Sequence, residues 1–161
     1  MLKLTSVLLG TVLSFSLFGS AKAVVKDGYL VNVDSDGVIL DGYDPVAFFT
    51  DGKPVEGDPK FQSQYQGAIY HFATAEHKAS FDADPAKYAP QFGGYCAYAA
   101  SKGDLAAIDV DYFSIVDGRL LLQYSSGAMA KWSKDVRGNL AAADENWPEL
   151  VKKNGGKTAG R

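Results

Sequence analysis

Apolar residues along this chain fall into three patterns, and each predicts a different element. At the N-terminus a mostly apolar run, Leu4 to Phe18, follows Lys3 and precedes Ala21-Lys22-Ala23. A basic start, an apolar stretch and small residues at the two positions a signal peptidase reads predict a cleaved leader over residues 1–23. The run is interrupted by Thr, Ser and Gly and is short for a bilayer span. No Cys follows the expected cut, so no lipid anchor is expected there. Further on, Phe61 to Tyr65 and Ala68 to Phe72 flank Gln66-Gly67, and Tyr112 to Val116 and Leu120 to Tyr124 flank Asp117-Gly118. Strand-like runs around such turn pairs predict two tight hairpins, expected to share one small antiparallel sheet. After Ser125 the period becomes helical: Ala128, Trp132, Val136, Leu140 and Ala143 recur with Lys131, Lys134 and Asp135 between them. Gly138 is the expected divide between two helices.

Cap and turn residues fill in the rest. Asp44-Pro45 predicts a short helix through Phe49, ended by Asp51-Gly52. Thr74 is a good N-cap for a helix over Ala75 to Asp82, with His77 and Phe81 on one face. Asp84-Pro85 restarts a turn of helix, and Gly93-Gly94 allows a sharp entry into Tyr95-Cys96-Ala97-Tyr98. Val24 to Leu40 reads as an irregular arm, and Trp147-Pro148 lies near the end of the last helical region. No internal repeat and no low-complexity block is expected. The sum is an α+β fold, with short helices and a C-terminal helical region packed on a small antiparallel sheet of two hairpins. Residues 24–152 read as a single domain and 153–161 as a flexible tail.

Composition narrows the partners. Cleavage would remove Lys3 and Lys22 and no acid, taking sixteen basic residues to fourteen against nineteen acidic, and the formal charge from -3 to -5. A mildly acidic product without basic clusters argues against nucleic acid or an anionic membrane as partner. An exported destination, periplasmic or extracellular, follows from the leader, and no stable membrane anchor is expected after cleavage.

The candidate chemistry lies between Tyr70 and Tyr98, which holds both histidines, His71 and His77, and the one cysteine, Cys96. A lone Cys in an exported chain cannot form an internal bridge, so it is buried, liganded, reactive or paired with another molecule. His77, near a helix start, is disfavoured from protonation and left free to bind metal. Cys96, if it starts a helix, gains thiolate character. One imidazole and one thiolate suit Cu or Zn and fit Mg or Ca poorly. The nineteen intervening residues leave open whether the two meet. His71 alternates with Tyr70 and Phe72 and so points away from their face. His71, Tyr95 and Tyr98 are further candidate contact residues, within an aromatic concentration that also serves as core. No Ser-His-Asp set, zinc-protease helix or phosphate loop occurs, so catalysis is the weaker class.

This segment resembles the YHS domain family. Tyr70, Phe72, Thr74, His77, Phe81, Pro85 and Tyr88 stand where its pattern places them. A longer resemblance, to secreted bacterial YHS-type proteins, runs from Gly42-Tyr43-Asp44-Pro45-Val46-Ala47 through Gly93-Gly94-Tyr95-Cys96-Ala97 to Trp132 and Asn146-Trp147-Pro148. The resemblance implies binding or handling of a transition metal, copper first, without catalysis. In the cysteine-rich modules attached to copper-transporting ATPases, Cys would stand at the positions of Ala47, Ala73 and His77. Here the implied ligands are His77 and Cys96. Two other readings accompany this one: a non-enzymatic interaction or scaffold module with an inert buried Cys96 and an unknown protein partner, and a single-thiol redox protein.

Overall fold

Turn and cap chemistry sets the element order in the computed structural model, which describes residues 22–157. Residues 1–21 of the expected leader and 158–161 of the expected tail lie outside the described residues. The α+β class and the helical C-terminal region hold, with six helices and three two-stranded antiparallel sheets among the described residues.

Strands β1 (Val24–Lys26) and β2 (Tyr29–Val31) pair around Asp27-Gly28. The arm expected to be irregular thus contains a hairpin, turned by an Asp-Gly pair with positive φ at both residues. Next comes α1 (Ala47–Thr50), then the hairpin β3 (Asp58–Tyr65) and β4 (Ala68–Phe72) on Gln66-Gly67. Helix α2 (Ala75–Ala83) starts at Thr74, whose side chain accepts the His77 N–H, and α3 (Pro85–Tyr88) starts at Asp84. A second short helix, α4 (Ala97–Ser101), precedes the hairpin β5 (Asp109–Val116) and β6 (Arg119–Gln123) on Asp117-Gly118. Helix α5 (Ser126–Lys134) starts at Ser125, and α6 (Val136–Lys153) starts at Asp135.

Further details differ from the sequence reading. The hairpins remain separate two-stranded sheets, because Ile39 and Gln91, not a neighbouring strand, bond the outer edges of β4 and β6 at Ile69 and Leu120. The divide between the last helices falls at Asp135, not Gly138. Gly138 donates its N–H to the Asp135 carboxylate, and a Cβ there would collide with that carboxylate. After Lys153 the chain stays bonded as far as Lys157, whose N–H donates to Gly28 O.

The order of elements also runs twice along the described residues. A left-handed turn (Leu40, Asp41 and Gly42, φ 58°, 52° and 82°) leads to a short helix, a hairpin, a Ser/Thr-capped nine-residue helix and an Asp-capped helix. The same series follows a second left-handed turn at Phe92, Gly93 and Gly94 (φ 54°, 58° and 80°). Three successive left-handed residues are costly for L-side chains outside glycine, so two such turns are a specific shared feature. The two series share one core, in which Phe48, Phe72 and Phe81 pack in one cluster with Val110, Leu120 and Leu122. A second cluster joins Leu30, Phe92, Tyr95 and Trp132 to Leu140, Leu150 and Val151 of α6.

Candidate functional site

The site around His77 is built on Asp44. Asp44 follows the Leu40–Gly42 turn and its cap Tyr43, and its side chain is fully buried. Its Oδ1 accepts the N–H groups of Val46 (2.8 Å) and Ala47 (3.4 Å), which starts α1. Its Oδ2 accepts the N–H of Ala73 (2.8 Å), at the end of β4, and lies 2.7 Å from His77 Nδ1. One carboxylate therefore ties together the start of α1, the end of β4 and the first turn of α2. Four donors on two oxygens are what lets a carboxylate be buried without water.

His77 is fixed at both backbone and ring. Its N–H donates to Thr74 Oγ1 at 3.0 Å, so the cap that starts α2 also sets the imidazole's position. With Nδ1 on the carboxylate, Nε2 is the remaining ring nitrogen, 3.5 Å from Thr50 Oγ1, and the side chain keeps 19% exposure. Thr50 Oγ1 is itself placed by Val46 O and Asp51 Oδ1. The three positions at which the cysteine-rich modules would carry Cys, 47, 73 and 77, converge on Asp44. Two of them are alanines that contribute only backbone N–H groups.

Cys96 sits in a different environment. It is fully buried and caps α4, its sulfur accepting the Ala99 N–H at 3.4 Å. Its thiol donates to Gln123 Oε1 at 3.4 Å, an oxygen that also accepts the Tyr98 N–H at 2.9 Å. Around it pack Ala99, Ala106 and Ala128. Burial pushes the thiol pKa up, against the smaller lowering by backbone N–H groups of Ala99, Tyr124 and Tyr98. The helix start that was expected to favour thiolate is thus outweighed by desolvation. Cys96 shares no hydrogen-bond partner with His77 and belongs to a separate side-chain cluster.

The other candidates divide in the same way. His71 alternates with buried Tyr70 and Phe72 along β4 and lines a shallow surface concavity with Asp41 and Glu56. Tyr95 is fully buried; its hydroxyl donates to Val31 O (2.9 Å) and accepts from Val24 N (3.1 Å), pinning the N-terminal hairpin. Tyr98 places its ring 5.0 Å from Lys102 Nζ. A cavity of about 240 Å³ lies between β2, the second left-handed turn and α6, bounded by Phe92, Arg119 and Trp147. Arg119 is committed there: its guanidinium makes a two-pronged contact to Asp144 (2.9 and 2.6 Å) and donates Nε to Gln91.

These donors do not fit a closed transition-metal centre. Such a site draws three or four N, S or O ligands to one point. Among the described residues no group of three His, Cys, Asp or Glu side chains stands together to do so. The sequence reading missed Asp44, which it took as a helix cap only. The Asp-Pro pair gave the cap, but nothing local signalled that Ala73 and His77 return to the same carboxylate from 29 and 33 residues away.

Residues 46–92 match the family model of the YHS domain, a family often linked to metal handling. The match supports a YHS domain-containing chain and covers α1, the β3–β4 hairpin and the helix bearing His77. No curated protein and no solved structure matches the chain.

Proposed function

We propose that this chain is an exported, non-enzymatic binding module in which Cys96 is a structural thiol. The observation that carries the reading is the state of Cys96: fully buried, hydrogen-bonded as donor and acceptor, and held protonated by desolvation. A reactive or liganding cysteine needs access and thiolate character, and this one has neither. Export rests on the leader pattern of residues 1–23.

The test combines thiol labelling with copper titration on the purified, reduced, mature chain. Labelling of Cys96 is expected only on denaturation, and Cu(I) presented with a competing chelator is expected to leave the thiol count unchanged. Fast native labelling would favour the single-thiol redox reading. Stoichiometric Cu(I) uptake that protects the thiol would restore a metal site containing Cys96.

One observation favours a second reading, an open metal contact through His77. A carboxylate behind Nδ1 is the arrangement that orients histidines for metal through Nε2 and raises their basicity. Cu or Zn bound there would depend on ligands from water or a partner. Weak uptake of Zn(II) that disappears in His77→Gln, with Cys96 untouched, is the result this reading expects.

A further inference from the structure

The matched segment ends at Phe92, where the second left-handed turn begins. We propose that residues 91–139 form a second YHS unit, one whose centre has been closed by two coupled replacements. Cys96 takes the place of Asp44 and Ala128 the place of His77, so each chain offers one open centre. This inference stands apart from the reading of Cys96 as inert, because it concerns which positions correspond.

The correspondence is carried by hydrogen bonds, not by residue identity. Ile39 N–H donates to Ile69 O at 3.1 Å, and Gln91 N–H to Leu120 O at 2.9 Å. Asp44 N–H donates to Val55 O at 2.8 Å, and Cys96 N–H to Ala106 O at 3.1 Å. Both hairpins shift register at the same place, between Asp58 and Gln62 in one and between Asp109 and Phe113 in the other. Asp58 and Asp109 each accept the N–H two residues on, both at 3.0 Å. Thr74 caps the helix of His77, and Ser125 caps the helix of Ala128, each through the third residue beyond. Asp84 and Asp135 then cap the following helices alike.

On this register the side chains at the two centres accept backbone N–H groups from corresponding positions. Asp44 Oδ1 accepts the Ala47 N–H at 3.4 Å, and Cys96 Sγ accepts the Ala99 N–H at 3.4 Å. Asp44 Oδ2 accepts the N–H that follows β4, from Ala73, and the backbone N–H that follows β6, from Tyr124, is among the groups that lower the Cys96 pKa against its burial. What differs is the group opposite. His77 supplies an imidazole to the first acceptor, whereas Ala128 supplies only a methyl group to the second. A buried carboxylate without that imidazole would lose its fourth donor, and a neutral thiol needs none. The acid and the imidazole are therefore lost together. The thiol proton goes instead to Gln123, at the position of Phe72. Phe81 and Trp132 fill the equivalent core position, each about 1% exposed.

A double-mutant cycle tests the proposal. Cys96→Asp should lower the urea midpoint markedly, and Ala128→His should lower it slightly. Cys96→Asp with Ala128→His should unfold at a higher midpoint than Cys96→Asp alone. Its proton spectrum should gain a second low-field imidazole N–H resonance beside that of His77. If Cys96→Asp does not fold, recovery of a folded chain on adding Ala128→His supports the proposal and failure to recover counts against it. The reciprocal cycle should show a smaller midpoint loss for His77→Ala in an Asp44→Cys background than in the wild type. Additive losses in both cycles, with no second resonance, would overturn the correspondence.

Discussion

Replacing Asp44 is expected to cost more than replacing any other polar residue among the described residues. Asparagine keeps the size of the side chain but turns one oxygen into a donor facing donors. Two of the four groups now bonded to Asp44 would then be unsatisfied in a buried place. At about 1–3 kcal/mol for each such group, Asp44→Asn should lose about 2–6 kcal/mol in urea unfolding. His77→Gln should lose less, because the ring is partly exposed and the backbone donors on Asp44 remain. Cys96 gives a pH signature of known sign. Its folded pKa lies above its unfolded value, so its contribution is complete below the unfolded thiol pKa of about 8.5. Above that pH the unfolded chain loses a proton the folded chain keeps, and stability falls as pH rises toward the folded value. Cys96→Ser, which keeps a capping oxygen but does not ionise, should flatten the fall in unfolding free energy just above pH 8.5. An unchanged slope would mean that the thiol is not desolvated in the folded state.

At the scale of elements, the sequence spoke most clearly where a local rule acts alone. Thr74, Asp84 and the Gln66-Gly67 and Asp117-Gly118 turns each announce an element boundary within four residues, and each stands as read. The first hairpin was illegible because its strands are three residues long and show no alternation of buried and exposed positions. The repeat was illegible for a different reason. Its two halves share caps, turns and register, while the side chains at their centres differ: Asp44 against Cys96, His77 against Ala128, Phe72 against Gln123. At the centre, His77 stands out as a candidate from its residue type alone, whereas no local signal marks the carboxylate that returns to it over 33 residues. Two substitutions test the cap reading. Thr74→Ala should cost about 1 kcal/mol, the usual value of a lost N-cap, and should loosen His77 as well. Gly138→Ala would ordinarily stabilise a helix by about 1 kcal/mol. Here the added methyl meets the Asp135 carboxylate, so thermal unfolding should show a lower midpoint. A higher midpoint would mean that the Asp135 cap can move aside at little cost.

For the whole molecule the question is whether two similar units behave as one. Phe48, Phe72 and Phe81 of the first unit lie in the same apolar cluster as Val110, Leu120 and Leu122 of the second, and Phe48 and Phe113 pack edge to face at 4.8 Å. Helix α6 extends well beyond its counterpart α3 and brings Trp147 against Phe92 at 5.7 Å and Tyr95 at 6.4 Å. Tyr95 in turn holds the N-terminal hairpin through its hydroxyl. Neither unit can lose its packing without stripping the other's core, which predicts a single cooperative transition. The chain carries an internal reporter for this, because both of its tryptophans, Trp132 and Trp147, belong to the second half. Tryptophan fluorescence and far-ultraviolet circular dichroism should therefore give coincident urea curves. Phe72→Ala, a change confined to the first unit and costing about 3–5 kcal/mol at a fully buried position, should move the fluorescence curve by the full amount. A fluorescence midpoint that stays in place while the dichroism curve splits would show two units that fold separately and merely touch.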